Sequence, residues 1–192
     1  MSTRVVIAED EAIIRLDLKE MLIEEGYEVV ADTGRGDEVV DLVREHRPDI
    51  AILDIKMPGL DGLSAAREIS ADHICAVLIL TAFSQRQLVE RARDAGALAY
   101  LVKPFQRGEL VPAIEVALGR FAEMQALTAE VRGLEEQLET RKIVDRAKGI
   151  LMDRHGMAEN EAFTFIQRGA MSARQTMQQV AQRVIDGTLV PE

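Results

Sequence analysis

The chain has 192 residues, 47% of them apolar, enough for one ordinary domain plus a small second one, and this argues against wholesale disorder. Aromatic residues make up 4% and Trp is absent, so the interior is expected to be aliphatic. The net charge is −10, yet residues 141–185 hold eight Lys/Arg against four Asp/Glu, which points either to a module with an anionic partner or to ordinary surface charge. The longest apolar runs, such as Ala76–Leu80 and Leu98–Val102, are far too short to cross a bilayer. The N-terminus leads straight into a strand-like run rather than a secretory signal. Cys75, the one cysteine, has no disulfide partner and reads as a buried structural thiol. A cytoplasmic protein without membrane contact is expected.

The first hundred residues alternate short apolar runs with amphipathic stretches. Strands are expected at Val5–Ala8, Tyr27–Ala31, Asp49–Leu53, Ala76–Leu80 and Leu98–Val102. Helices are expected near 12–25, 36–46, 62–71 and 86–95, with a fifth beginning near Arg107. Strands rich in Val, Ile and Leu, each followed by a helix, indicate a parallel sheet covered on both faces. Gly26, Gly34, Gly36, Pro48, Met57-Pro58-Gly59 and Gly96 fall between these elements, where turns are needed. The class is α/β, a doubly wound five-stranded sheet.

After Pro112 no further strand follows. Residues 114–139 read as one long helix in which Met124, Leu127, Val131, Leu134 and Leu138 form a short heptad seam. That seam either zips two subunits together or folds against helices of its own chain. Three more helices are expected. The first, near 141–154, carries Ile143, Ala147, Ile150, Leu151 and Arg154 on one face and stops at His155-Gly156. The second, near 159–169, buries Ala162, Phe163, Ile166 and Ala170. The third opens on a capping box at Ser172-Ala173-Arg174-Gln175 and buries Met177, Val180, Ala181 and Val184. The expected division is a first domain over 1–120, a helical linker over 121–140 and an all-α three-helix module over 141–188. Gly149, inside a helix, costs about 1 kcal/mol relative to Ala; close helix packing or an approaching ligand backbone would explain it.

In an open parallel sheet, ligands bind beyond the carboxyl ends of the strands. Here those ends carry Glu9-Asp10-Glu11, Asp54, Thr81-Ala82 and Lys103-Pro104. Clustered carboxylates repel one another unless a proton or a cation offsets the charge. An oxygen-only donor set favours a hard ion, and Mg²⁺ is its natural occupant. A carboxylate beside a metal, a lysine and a hydroxyl suits phosphoryl transfer, with the carboxylate attacking in line.

These residues carry a resemblance. Ala8-Glu9-Asp10-Glu11, Leu53-Asp54-Ile55-Lys56-Met57-Pro58-Gly59, Asp61-Gly62, Leu80-Thr81-Ala82 and Tyr100-Leu101-Val102-Lys103-Pro104-Phe105 resemble the receiver domain of two-component response regulators. The resemblance implies a flavodoxin-like sheet of order 2-1-3-4-5, with Asp54 as phospho-acceptor and a sensor histidine kinase as donor. It further implies Mg²⁺ held by Asp10, Asp54 and the backbone carbonyl of Lys56, with Glu9 helping through water. Lys103 would pair with the phosphoryl group and precede a cis bond to Pro104. Thr81 would move to bond the phosphoryl, and Tyr100 would turn inward behind it. Lys56 and Phe83 flank the position expected to tune the lifetime of the phosphorylated state. Glu9 stands where many members carry Asp.

Arg141-Lys142-Ile143-Val144-Asp145-Arg146-Ala147-Lys148-Gly149-Ile150-Leu151-Met152, with Glu161-Ala162-Phe163 and Val180-Ala181, resembles the ANTAR domain, whose members bind RNA in transcription antitermination. Ala158 replaces a capping Ser common in that family. The resemblance implies structured RNA stem-loops as targets; a homodimer on phosphorylation, paired through the helix at 114–139, is a separate expectation. Arg141, Lys142, Arg146, Lys148, Arg168 and Arg174 are the candidate RNA contacts. A phospho-switched protein-interaction module and a DNA-binding regulator are the alternatives. No enzyme beyond self-phosphorylation and dephosphorylation at Asp54 is expected.

Overall fold

A computed structural model describes residues 2–82 and 86–191. Phe83, expected to border the site, lies outside the described residues. Contacts divide the chain into two compact units, the first ending at Gln125 and the second beginning at Ala126.

In the first unit, strands β1 (Arg4–Ala8), β2 (Glu28–Thr33), β3 (Ile50–Asp54), β4 (Ala76–Thr81) and β5 (Ala99–Val102) alternate with helices α1 (Ala12–Glu24), α2 (Gly36–His46), α3 (Gly62–Ala71) and α4 (Arg86–Asp94). The sheet is parallel throughout, in the order β2-β1-β3-β4-β5. This is the doubly wound arrangement expected from the sequence. Side chains alternate across the sheet, as the two-residue strand period requires. Val6, Ala8, Ala51, Leu53, Val77 and Ile79 pack on one face with α2 and α3. Val5, Ile7, Ile50, Ile52, Leu78 and Leu80 pack on the other with α1 and the start of α5 (Arg107–His155). Among the described residues, every one of the largest fully buried side chains is Ile or Leu, and Cys75 is buried.

In the second unit, the later part of α5 packs with α6 (Glu159–Ala173) and α7 (Met177–Ile185) around Val144, Ala147, Leu151, Ala162, Ile166, Val180 and Val184. Four sequence expectations need correction here. The linker helix and the first module helix are one element, because no residue of Glu139-Thr140-Arg141 breaks an α-helix. The last helix starts at Met177 and not at Ser172. The Ser172 hydroxyl donates back to the Arg168 carbonyl inside α6, while Thr176 accepts from the Gln179 N–H and forms the working capping box. Phe163 is not core but 41% exposed. A Cβ on Gly149 would meet nothing of this chain within 4 Å, so close packing by a neighbouring helix does not account for that glycine.

The stop at His155-Gly156 stands, with Gly156 at φ +65°. Among the described residues no helix is long and apolar enough to cross a membrane.

Candidate functional site

The C-terminal ends of β1, β3, β4 and β5 bring Glu9, Asp54, Thr81 and Lys103 to one edge of the sheet, all four largely withdrawn from water. The Lys103 ammonium lies 2.6 Å from Glu9 Oε2 and 3.1 Å from Asp54 Oδ1. Glu9 Oε1 accepts a hydrogen bond from the Glu11 N–H at 3.2 Å, so both oxygens of this buried carboxylate are engaged. Burial pushes the Glu9 carboxyl above the usual carboxylate range; the Lys103 hydrogen bond pulls it back, and the Asp54 charge pushes it up again. Burial works against the Lys103 charge, but its bonds to Glu9 and Asp54 prevail and hold the ammonium above the ordinary lysine value. The Lys103–Pro104 peptide is cis, and the Lys103 N–H donates to the Thr81 carbonyl at 2.8 Å.

The loop from Asp54 to α3 is shaped by glycine and by a cap. A Cβ on Gly62 would sit 1.8 Å from the Asp54 carbonyl oxygen, so only glycine lets α3 start directly behind the phospho-acceptor candidate. Asp61 caps α3, its Oδ1 accepting from the Leu63 and Ser64 N–H groups at 3.0 and 3.1 Å. Burial alone would raise the Asp61 pKa, but the hydrogen bonds from Ser64 and Leu63, together with the charge of Arg91, hold it below the ordinary aspartate range. A cavity of about 650 Å³ opens over Asp10, Asp54, Lys56, Thr81 and Lys103, with Arg91 on its wall. Tyr100 is half-exposed.

Carboxylate oxygens of Glu9, Asp10 and Asp54 lie within 4.8 Å of one another. Donors around an octahedral Mg²⁺ at roughly 2.1 Å stand about 3–4 Å apart. Asp10 and Asp54 fit as direct ligands, while Glu9, already engaged through both oxygens, fits a contribution through water. The donor set is hard oxygen, and the residues present suit the ion.

The basic candidates of the second unit do not form one patch. Arg141 and Lys148 line a groove of about 850 Å³ with Phe163 and Met177, together with the acidic Glu136, Glu139 and Asp145. Arg168 lines a different recess of about 510 Å³ with Met157, Phe165 and Leu189. Lys142 pairs with Glu139 at 3.6 Å, and Arg146 is exposed. Lys148 Nζ bridges Asp145 and Glu159 at 2.9 and 2.8 Å, joining α5 to α6. Arg174 adopts a left-handed backbone, φ 53°, where it closes α6.

Sequence reasoning passed over Arg15. It stands five residues beyond Asp10 on α1, and its guanidinium donates to the Glu9 carbonyl. A cation one helical turn past an acidic loop was the available signal.

A receiver-type sheet with carboxylates, a hydroxyl and a lysine at its carboxyl edge defines a phosphoryl-acceptor regulator, and the comparisons agree. Residues 5–115 match the response regulator receiver domain, and residues 132–185 match the ANTAR domain. The chain belongs to the response regulators, in the group that joins a receiver to an ANTAR domain. Over 189 residues it is 58% identical to the transcriptional regulatory protein PdtaR of Mycobacterium tuberculosis (strain CDC 1551 / Oshkosh), covering 98% of this chain and 92% of that protein. The receiver domain of the response regulator NarL from Mycobacterium tuberculosis superposes with a TM-score of 0.59 at 29% identity, over 62% of this chain and 97% of that one. The CheX-CheY-BeF3-Mg+2 complex from Borrelia burgdorferi contains a chain matching with a TM-score of 0.56 at 27% identity, over 58% of this chain and 86% of that one. Receiver membership implies a histidine kinase partner and Mg²⁺ binding through acidic residues. ANTAR membership implies RNA-binding antitermination.

Proposed function

We propose that this chain is a cytoplasmic regulator switched by transfer of a phosphoryl group from a sensor histidine kinase to Asp54, and that the switch controls binding of the ANTAR unit to RNA stem-loops. The observation that carries the reading is the Lys103 ammonium seated on Glu9 and Asp54 together, with Asp10 completing the oxygen cluster. An Asp54 carboxylate oxygen attacks phosphorus, the phosphorus–nitrogen bond of the kinase phosphohistidine breaks, and the imidazole nitrogen leaves with the electron pair. Asp10, Asp54 and the Lys56 carbonyl would hold Mg²⁺, which would supply positive charge to offset the carboxylates and the phosphoryl oxygens. The likeness to a chain solved with BeF3 and Mg+2 supports these occupants.

Lys103, 3.1 Å from Asp54 Oδ1, would hold one phosphoryl oxygen. The Thr81 hydroxyl, at the end of the adjacent strand, would take another. Tyr100, half-exposed at rest, would then turn inward. The chemistry is confined to the protein's own phosphorylation and dephosphorylation. Leu127, Val131, Leu134 and Leu138 are each more than half exposed along α5, which supports pairing of two chains through this seam on activation. Two paired modules would engage two RNA loops at raised effective concentration.

The test is a titration against paired RNA hairpins with and without Mg²⁺ and beryllofluoride, at two salt concentrations. Activation should tighten binding in the wild type and leave Asp54→Ala unchanged. Arg141→Glu with Arg146→Glu should weaken binding sharply in the folded protein and flatten the salt dependence of what remains. Binding of duplex DNA in place of RNA, or of neither, would overturn the RNA reading and favour the DNA-binding or protein-interaction alternatives.

A further inference from the structure

The acidic loop Glu9-Asp10 is braced from beneath by a chain of charged groups outside the metal cluster. Lys19 Nζ lies 2.6 Å from Asp32 Oδ1, and Asp32 Oδ2 lies 3.3 Å from Arg15 Nε. The same guanidinium donates through its terminal nitrogen to the Glu9 backbone carbonyl. The Glu9 N–H is tied to the Thr33 carbonyl at 3.0 Å, so the backbone of Glu9 is held at its N–H by β2 and at its carbonyl by Arg15 of α1. Gly34 makes room for this brace. A Cβ there would stand 2.9 Å from the Arg15 guanidinium nitrogen, but 3.7 Å, an ordinary contact, from the Asp10 Cα and the Glu9 oxygen.

We propose that Arg15, held by Asp32 and accommodated by Gly34, is a positioning residue for the Mg²⁺ site: it fixes the Glu9 carbonyl and thereby aims the carboxylates of Glu9 and Asp10 at Asp54. The inference rests on the metal reading above. Two effects of Arg15 have opposite sign, and this makes the inference decidable. As a bare positive charge near the cluster, Arg15 repels a divalent cation, and its removal would tighten binding. As a brace, it pre-orders the ligands, and its removal weakens binding. Groups that orient metal ligands typically contribute 10–100-fold in affinity.

The experiment is calorimetric titration of Mg²⁺ into the full chain for the wild type, Arg15→Ala, Arg15→Lys and Gly34→Ala, with the melting temperature measured alongside. Arg15→Ala should bind Mg²⁺ about tenfold more weakly, and Arg15→Lys should recover part of that loss. Gly34→Ala keeps every charge and only displaces the guanidinium, so it should weaken binding in the same direction. Tighter binding in Arg15→Ala, or wild-type affinity in both Arg15→Ala and Gly34→Ala despite a lowered melting temperature, overturns the proposal while leaving the metal site standing. Absence of Mg²⁺ binding by the wild type overturns the metal reading and this inference together.

Discussion

Glycines illustrate how one residue type serves opposite ends in this chain. Gly62 exists because its neighbour needs the space: a methyl group there would overlap the Asp54 carbonyl at 1.8 Å. Gly62→Ala should therefore lower unfolding stability by about 2 kcal/mol, in the range of overpacked sites, as read by urea denaturation. Gly149 sits in a helix with open space around it, so Gly149→Ala should raise stability by about 1 kcal/mol through helix propensity alone. A loss on Gly149→Ala would reveal a contact of the backbone with something outside this chain. Cys75 answers a different question at the same scale. Burial, reinforced by the Asp49 charge and tempered by a hydrogen bond involving Ala51, pushes its thiol up to about 12. At pH 8 a thiol reagent should label it only as fast as the receiver opens, and promptly in denaturant. Rapid labelling of the native chain would contradict its burial.

Among the elements, the strands were the most legible from sequence, because β1, β3 and β4 are buried on both faces and read as runs of Val, Ile, Leu and Ala, while the edge strands β2 and β5 keep shorter apolar runs. The displacements are a residue or two, as at β2, which begins at Glu28 and runs on to Thr33. Helix ends inside the second unit were less legible, and the reason is local. Ser172-x-x-Gln175 and Thr176-x-x-Gln179 are both capping boxes in the sequence; burial of Ala170 keeps α6 running through the first, which leaves the second to start α7. The join between linker and module was illegible because nothing marks it. The clustering of Glu9, Asp54, Thr81 and Lys103 at the sheet edge was legible from strand-end position, whereas Arg15 and the capping role of Asp61 depend on hydrogen bonds to backbone groups that no spacing rule announces. The seam of α5 carries its own prediction. Because Leu134 and Leu138 are more than half exposed, changing both to Gln should leave unfolding stability within about 0.5 kcal/mol. The same pair should abolish beryllofluoride-dependent self-association in sedimentation velocity. A large stability loss would mean that the seam packs within one chain.

At the scale of the whole molecule, the alkaline limit of stability follows from groups that fold in their neutral form. Burial, followed by the hydrogen bond to Glu115 at 3.1 Å, pushes the Tyr27 phenol from 10.0 up to about 12. Cys75 rises from 9.0 to about 12. Both pKa values are raised in the folded state, so the stability they contribute is complete below pH 9 and is lost as pH climbs towards 12. Denaturation midpoints should be flat between pH 7 and 9 and fall above it, with a shallower fall in Tyr27→Phe. A steep loss below pH 9 would place the controlling group elsewhere.

The exposed leucines of α5 also bear on how the signal scales in a cell. If pairing through that seam gates the output, the active species is second order in the chain while pairs are rare. Halving the amount of protein would then cut the paired form to about a quarter at the same degree of phosphorylation. The response would depend on expression level as steeply as on the stimulus, and control of synthesis of this chain would act as a second input to the same switch.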